Sequence, residues 1–216
     1  MKFAIMLSGC GVFDGSEIHE STLTMLAIAK NGGKYDIFAP DVRQHHVINH
    51  LNGEKMDEQR NVLVEAARIA RGKIKPLHEY RTEDFDALII PGGFGVAKNL
   101  CTYAFDGTDF YVDKVVEEAL KSTHSAGKPI GALCISPVLL AKVFEGIDVT
   151  IGRVKSTADD IEKLGAIHIE AGPGEIVIDN ANKIISTPAY MLESGIEDIY
   201  DGANNLVKAI IEMANN

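Results

Sequence analysis

The stretch KPIGALCISPVLLAKVF, residues 128–144, decides the fold. Its first seven residues form a short apolar run of the kind a strand buried on both faces requires. Ser136-Pro137 then opens a helix, since proline suits a first helical turn. Cys134 stands at the junction. A side chain at a tight strand-to-helix turn projects above the sheet, and helix amides and dipole favour its thiolate. Spacing alone leaves open whether Cys134 is a nucleophile or a small buried hydrophobe. Gly131, three residues earlier, is read as a place where a side chain would crowd the turn.

The same grammar repeats outward. KFAIMLS (2–8), YDIFAP (35–40) and DALIIPGG (86–93) are apolar runs ended by turn residues. EIHESTLTMLAIAKN (17–31), RNVLVEAARIARG (60–72) and DKVVEEALKSTHSAG (113–127) are helical, each stopping at glycine. Strands alternating with helices predict an α/β fold with a mostly parallel sheet covered on both faces. The last third predicts a C-terminal β-rich addition from VTIG, AIHIEAG and EIVIDNANKIISTPAY, with a turn at Asp179–Asn182. A final helix follows, broken near Gly202. No linker divides the chain, so residues 1–216 are expected to form a single domain.

The chain has 216 residues and a formal net charge of −10, which argues against nucleic acid or an anionic membrane as partner. Its three cysteines, Cys10, Cys101 and Cys134, form no CxxC pair. That excludes a disulfide framework and predicts a reducing, cytoplasmic setting. The N-terminal apolar run is too short for a membrane span and reads as a first strand.

In open α/β sheets, ligands bind beyond the carboxyl ends of the strands. SGCG (8–11), PGGFG (91–95) and Cys134 all fall there. The Gly93 amide, with Gly92 beside it, and the Ile135 amide are oxyanion candidates. Cys10 is a small residue in a tight turn at the same crevice, carried as a substrate-binding candidate. DGSEIHE (14–20) offers Glu17, His19 and Glu20 as proton handlers. Asp14 and Glu17 have the spacing of a capping box, so Glu17 has a helix-starting alternative. Glu20 lies one turn on, beside an apolar run, where burial raises a carboxyl pKa. No histidine adjoins Cys134; His124 and His168 are bases only by elimination. HHVINH (45–50) lacks a partner set of ligands, so no metal is expected.

Together these residues resemble a known family. SGCGVFDGSEIHES, FAPD with VINHLNGE, RNVLVEAARIARG, ALIIPGGFGVAKNL, GKPIGALCISP and STPAYML look like the ElbB, or sigma cross-reacting, glyoxalase-like family of the class I glutamine amidotransferase-like and PfpI superfamily. The resemblance spans essentially the whole chain. It implies a flavodoxin-like three-layer sandwich with Cys134 as nucleophile in the elbow. Counting back from Gly32 matches Glu20 to the superfamily's first-helix glutamate, with Glu17 as second choice. Gly93 and Ile135 match the oxyanion site. Where PfpI proteases carry histidine after the cysteine, this chain has Ile135, so peptidase and amidotransferase activities are not expected. The resemblance implies conversion of glyoxal-type 2-oxoaldehydes to 2-hydroxy acids without glutathione or any cofactor, and a homodimer. The family's link to isoprenoid production has no counterpart in any residue here.

Two other classes compete. Gly9-x-Gly11-x-x-x-Gly15 followed by Asp41 is a variant dinucleotide fingerprint, though its turn is one residue too long and places Asp14 and Glu17 where a pyrophosphate would lie. A non-catalytic binding or chaperone-like stress protein on the same fold is the other.

Overall fold

The computed structural model describes residues 1–214. In chain order the elements are β1 (Lys2–Met6), α1 (Ile18–Lys30), β2 (Lys34–Ala39), α2 (Val62–Ile69), β3 (Lys75–Pro76), β4 (Ala87–Ile90), α3 (Tyr103–Asp106), α4 (Lys114–Ser125), β5 (Ile130–Leu133), α5 (Ser136–Val143), β6 (Asp148–Val149), α6 (Lys155–Lys163), β7 (Ile167–His168), β8 (Val177–Asp179), β9 (Ile184–Thr187) and α7 (Ile196–Ala214). A seven-stranded sheet runs β3-β2-β1-β4-β5-β9-β8. Every pairing in it is parallel except β8 with β9.

Period-2 alternation sorts the strand side chains into two apolar layers. Ala4, Met6, Leu88, Ile90, Ile130 and Ala132 face the layer beneath α4, α5 and α6. Phe3, Ile5, Leu7, Ile89, Leu133 and Ile185 face the layer beneath α1, α2 and α7. Sandwiching both faces explains why the strands read as unbroken apolar runs. The chain winds outward from β1 through β2 and β3, then returns to place β4 on the other side of β1. The strand order therefore reverses between β1 and β4, and the glycine turns SGCG and PGGFG both leave the sheet there.

The final third differs from expectation in two ways. β8 and β9 are not an addition: β9 pairs with β5 inside the main sheet, and only β6 and β7 form a separate two-stranded ladder. The expected turn does form, with Asp179 accepting from the Asn182 amide at 2.9 Å. α7 is continuous through Gly202, whose missing side chain admits the Thr187 hydroxyl; a Cβ there would stand 2.6 Å from Thr187 Oγ1. Gly131 does not relieve the turn. It makes room for α7, since a Cβ would meet Leu206 at 2.7 Å and Ile210 at 3.0 Å. Among the described residues no helix is long and apolar enough to cross a membrane.

Candidate functional site

Cys134 is where the chain turns from β5 into α5. Its φ is +60°, a left-handed conformation that costs a non-glycine residue about 1–2 kcal/mol. Neighbouring strands hold it there. The Cys134 amide donates to Thr187 O at 3.0 Å, extending the β5–β9 ladder past its last residue. Ser136 Oγ donates to Pro91 O at 3.1 Å, tying the start of α5 to the end of β4.

The first turn of α1 supplies the acid. The start of α1 and the Gly92 turn are bonded reciprocally: the Glu17 amide donates to Gly92 O at 2.9 Å, and the Gly92 amide donates to Glu20 Oε2 at 2.7 Å. Such close approach requires the glycines. A Cβ on Gly93, whose φ is +98°, would fall 2.4 Å from both Glu17 N and Gly15 O. Glu20 is fully buried, and its Oε2 and the Cys134 sulfur both lie beside Gly92, where a Cβ would stand 2.8 Å and 3.0 Å from them. Burial and the neighbouring Glu17 charge push its carboxyl up to about 7, against the pull of the Gly92, Cys134 and Tyr190 donors.

The Gly93 and Ile135 amides lie beside the Cys134 sulfur and favour its thiolate. A nucleophile, an acid and two backbone donors thus meet at one point, which is the equipment for attack on a carbonyl. The expectation of a lowered thiol pKa is corrected. Burial and the Glu20 charge push the Cys134 thiol well above the ordinary value, and the two amides only partly offset this. Cys134 is 7 % exposed, and the dielectric cost of an ion in that site outweighs the favourable helix end. The carboxyl and thiol cannot both ionise cheaply, so they titrate as a pair holding one proton between them.

Glu17 is the N-cap of α1, its Oε2 accepting from the Glu20 amide at 2.7 Å. The capping box from Asp14 does not form. Asp14 turns instead to the 42–60 loop, accepting from the Ile48 amide at 2.7 Å. Cys10 is half-buried, and burial, followed by the Glu65 charge, raises its thiol. Cys101 is buried against Val96 O, and burial lifts its thiol to about 12. His124 stacks on Phe144, and His168 Nε2 accepts from the Ile151 amide in the small sheet. His45 stacks on Phe105 while His50 bonds Ile48 and Phe13. Among the described residues no three His, Cys, Asp or Glu side chains converge as metal ligands. The glycine loop of the dinucleotide alternative closes on itself, with Gly11 N bonded to Ser16 O and Gly15 N to Gly11 O, and Asp41 is taken by Asn61.

Sequence reasoning missed Tyr190. Its amide reaches Glu20 Oε1 at 3.4 Å, and its hydroxyl lies 2.8 Å from His19 Nδ1. The available signal was its place just past the carboxyl end of β9.

Residues 11–191 match the DJ-1/PfpI family. The chain belongs to the DJ-1/PfpI family. Among similar proteins, the rat ES1 protein homolog, mitochondrial, is 47% identical over 98% of this chain and 84% of its own length. The human glutamine amidotransferase-like class 1 domain-containing protein 3, mitochondrial, is 47% identical over 98% and 83%. A crystal structure from Ehrlichia chaffeensis, described as an isoprenoid biosynthesis protein with amidotransferase-like domain, superposes with a TM-score of 0.91 at 37% identity, covering 98% of this chain and 99% of that one. The flavodoxin-like α/β fold of the DJ-1/PfpI family is thereby shown. The cytoplasmic expectation is corrected: the rat, human and zebrafish relatives are all named mitochondrial. Unpaired cysteines signal reducing surroundings and do not distinguish one reducing compartment from another.

Proposed function

We propose that this member of the DJ-1/PfpI family is a cysteine-dependent, glutathione-independent glyoxalase of the ElbB type, carried by a single domain over residues 1–216 and acting as a homodimer on small 2-oxoaldehydes. The observation that carries the reading is the Cys134–Glu20 pair, brought together beside Gly92 at a left-handed strand–helix junction with the Gly93 and Ile135 amides next to the sulfur.

In the singly protonated pair, the proton passes from Cys134 to Glu20 as the thiolate attacks an aldehyde carbon. The new oxyanion takes the Gly93 and Ile135 amides in place of the sulfur, and proton uptake gives a hemithioacetal. Glu20, as carboxylate, removes the proton from that carbon and returns it to the neighbouring one, converting hemithioacetal to 2-hydroxy thioester. Water cleaves the thioester, releasing the 2-hydroxy acid and the thiol. No electron leaves the substrate–enzyme system, so no redox cofactor is called for. The absence of histidine after Cys134 is consistent with this: the acid comes from α1.

The test is glyoxal conversion to glycolate in glutathione-free buffer by wild type and Cys134→Ser. Turnover by wild type that Cys134→Ser reduces to the uncatalysed rate supports the reading. Equal rates overturn it. The burial of Cys134 and its raised thiol pKa favour the second reading, a non-catalytic binding protein. Absence of turnover in both proteins would select that one.

A further inference from the structure

The two oxygens of Glu20 have different neighbours. Oε2 takes the Gly92 amide and lies on the Cys134 side: a Cβ on Gly92 would sit 2.8 Å from it and 3.0 Å from the Cys134 sulfur. Oε1 turns toward the loop after β9, where the Tyr190 amide reaches it at a long 3.4 Å. That loop is strained, for Ala189 has φ +44°, and the strain delivers Tyr190 back across α1. There the phenol meets His19, the residue immediately before Glu20.

Tyr190 therefore bridges the two walls that hold Glu20. Its ring packs on the same apolar layer as Cys134 and Ile135, and its hydroxyl feels the charges of Glu17 and Glu20. Glu20 and Ser136 are wholly buried, whereas Tyr190 is half-buried and His19 exposed, so the pair stands at the solvent side of the site.

We propose that Tyr190, oriented by His19, is a further catalytic residue that binds and protonates the second carbonyl oxygen of a 1,2-dicarbonyl substrate held on Cys134. The inference rests on the glyoxalase reading and names a residue that the Cys134–Glu20 pair leaves wanting. When Glu20 removes the proton from the sulfur-bearing carbon, charge develops on the neighbouring oxygen, beyond the Gly93 and Ile135 amides. Tyr190 O–H donates its proton to that oxygen, leaving a phenolate that is held by the hydrogen bond from His19 Nδ1–H. The first oxygen, a hydroxyl in the hemithioacetal, then becomes the thioester carbonyl and returns one proton to the Tyr190–His19 pair. Proton count is conserved, with one moved from carbon to carbon and one from oxygen to oxygen. The direction of the His19–Tyr190 hydrogen bond matters: only when Nδ1 carries the hydrogen is the phenol free to donate outward.

The experiment measures glyoxal turnover and, separately, iodoacetamide alkylation of Cys134 in wild type, Tyr190→Phe, His19→Ala and His19→Asn. Tyr190→Phe should lower kcat on the order of 10²-fold, the usual worth of a positioned acid, with alkylation unchanged. His19→Ala, an exposed substitution that leaves packing intact, should lower kcat in the same direction, and His19→Asn, whose amide N–H can replace Nδ1–H, should recover part of it. Full kcat in Tyr190→Phe overturns the inference while the glyoxalase reading stands. Equal losses in kcat and alkylation also overturn it, showing that Tyr190 only shapes the pocket. No turnover by wild type overturns the glyoxalase reading, and this inference with it.

Discussion

A β-carbon on Gly92 would lie 2.5 Å from the Cβ of Cys134. No left-handed φ constrains this glycine, so alanine suits its backbone; space alone forbids it. Gly92→Ala should therefore leave α1 and the sheet in place but push Cys134 or Glu20 aside. We expect overpacking to cost about 1–3 kcal/mol, with loss of glyoxal turnover well beyond what that destabilisation explains. Chemical denaturation paired with kinetics checks this, and wild-type kcat would contradict it.

The coupled pair sets the pH dependence of the thiol. Its first proton leaves near the Glu20 value of about 7, and the resulting singly protonated pair includes the form with thiolate and carboxylic acid. Alkylation of Cys134 should rise through about pH 7 and then level. Glu20→Gln cannot accept the proton, so its rise should move to alkaline pH with burial opposing the lone thiolate. Cys101, pushed to about 12, should stay inert in both proteins. Mass spectrometry of alkylated peptides across pH reads all three sites.

Stability should carry the same signature with a definite sign. The Glu20 carboxyl is raised in the fold from 4.5 to about 7, so its contribution is fully present below pH 4.5 and is lost as pH rises through 7. The loss approaches about 3 kcal/mol by the 1.36 kcal/mol per unit conversion. Glu20→Gln, which keeps an acceptor for the Gly92 amide, should flatten the stability curve between those limits. An unchanged slope in urea titrations at several pH values would count against a buried, protonated Glu20.

Glu17 acts twice, as N-cap and as a negative neighbour. Glu17→Gln keeps an acceptor for the Glu20 amide but removes the charge that raises the Glu20 carboxyl. The onset of Cys134 alkylation should shift to lower pH. Glu17→Ala should shift it likewise and also cost about 1 kcal/mol as a lost cap. An onset unmoved in both variants would show that Glu17 is a cap alone.

The strands β1, β2, β4 and β5 and the helices α1, α2 and α4 were legible because both faces of the sheet are covered, so apolar runs and glycine stops marked each one locally; the two-residue β3 and four-residue α3 are too short to leave such a mark. Cys134 was legible for the same reason: a strand ends and a helix begins around it. The final third was not, because β8 and β9 are short and their partners lie far away in sequence; pairing of β9 with β5 depends on which edge of the sheet remains open. Gly202 looked like a helix breaker because local propensity ignores Thr187, which needs the space. In the site, residue order fixed the chemistry on offer: a thiol after a strand, glutamates opening a helix, and glycines after β1 and β4. The resemblance put Glu20 first and the spacing gave Glu17 a helix-starting alternative; docking of the Gly92 turn on α1 is what buries Glu20 beside Cys134 and leaves Glu17 as the cap. The direction of the thiol shift likewise depended on burial, which is a property of packing and not of the helix end visible in the sequence. Tyr190 reaches Glu20 across 170 residues of chain, and no local pattern encodes a contact made by folding the two ends of the sheet's crevice together.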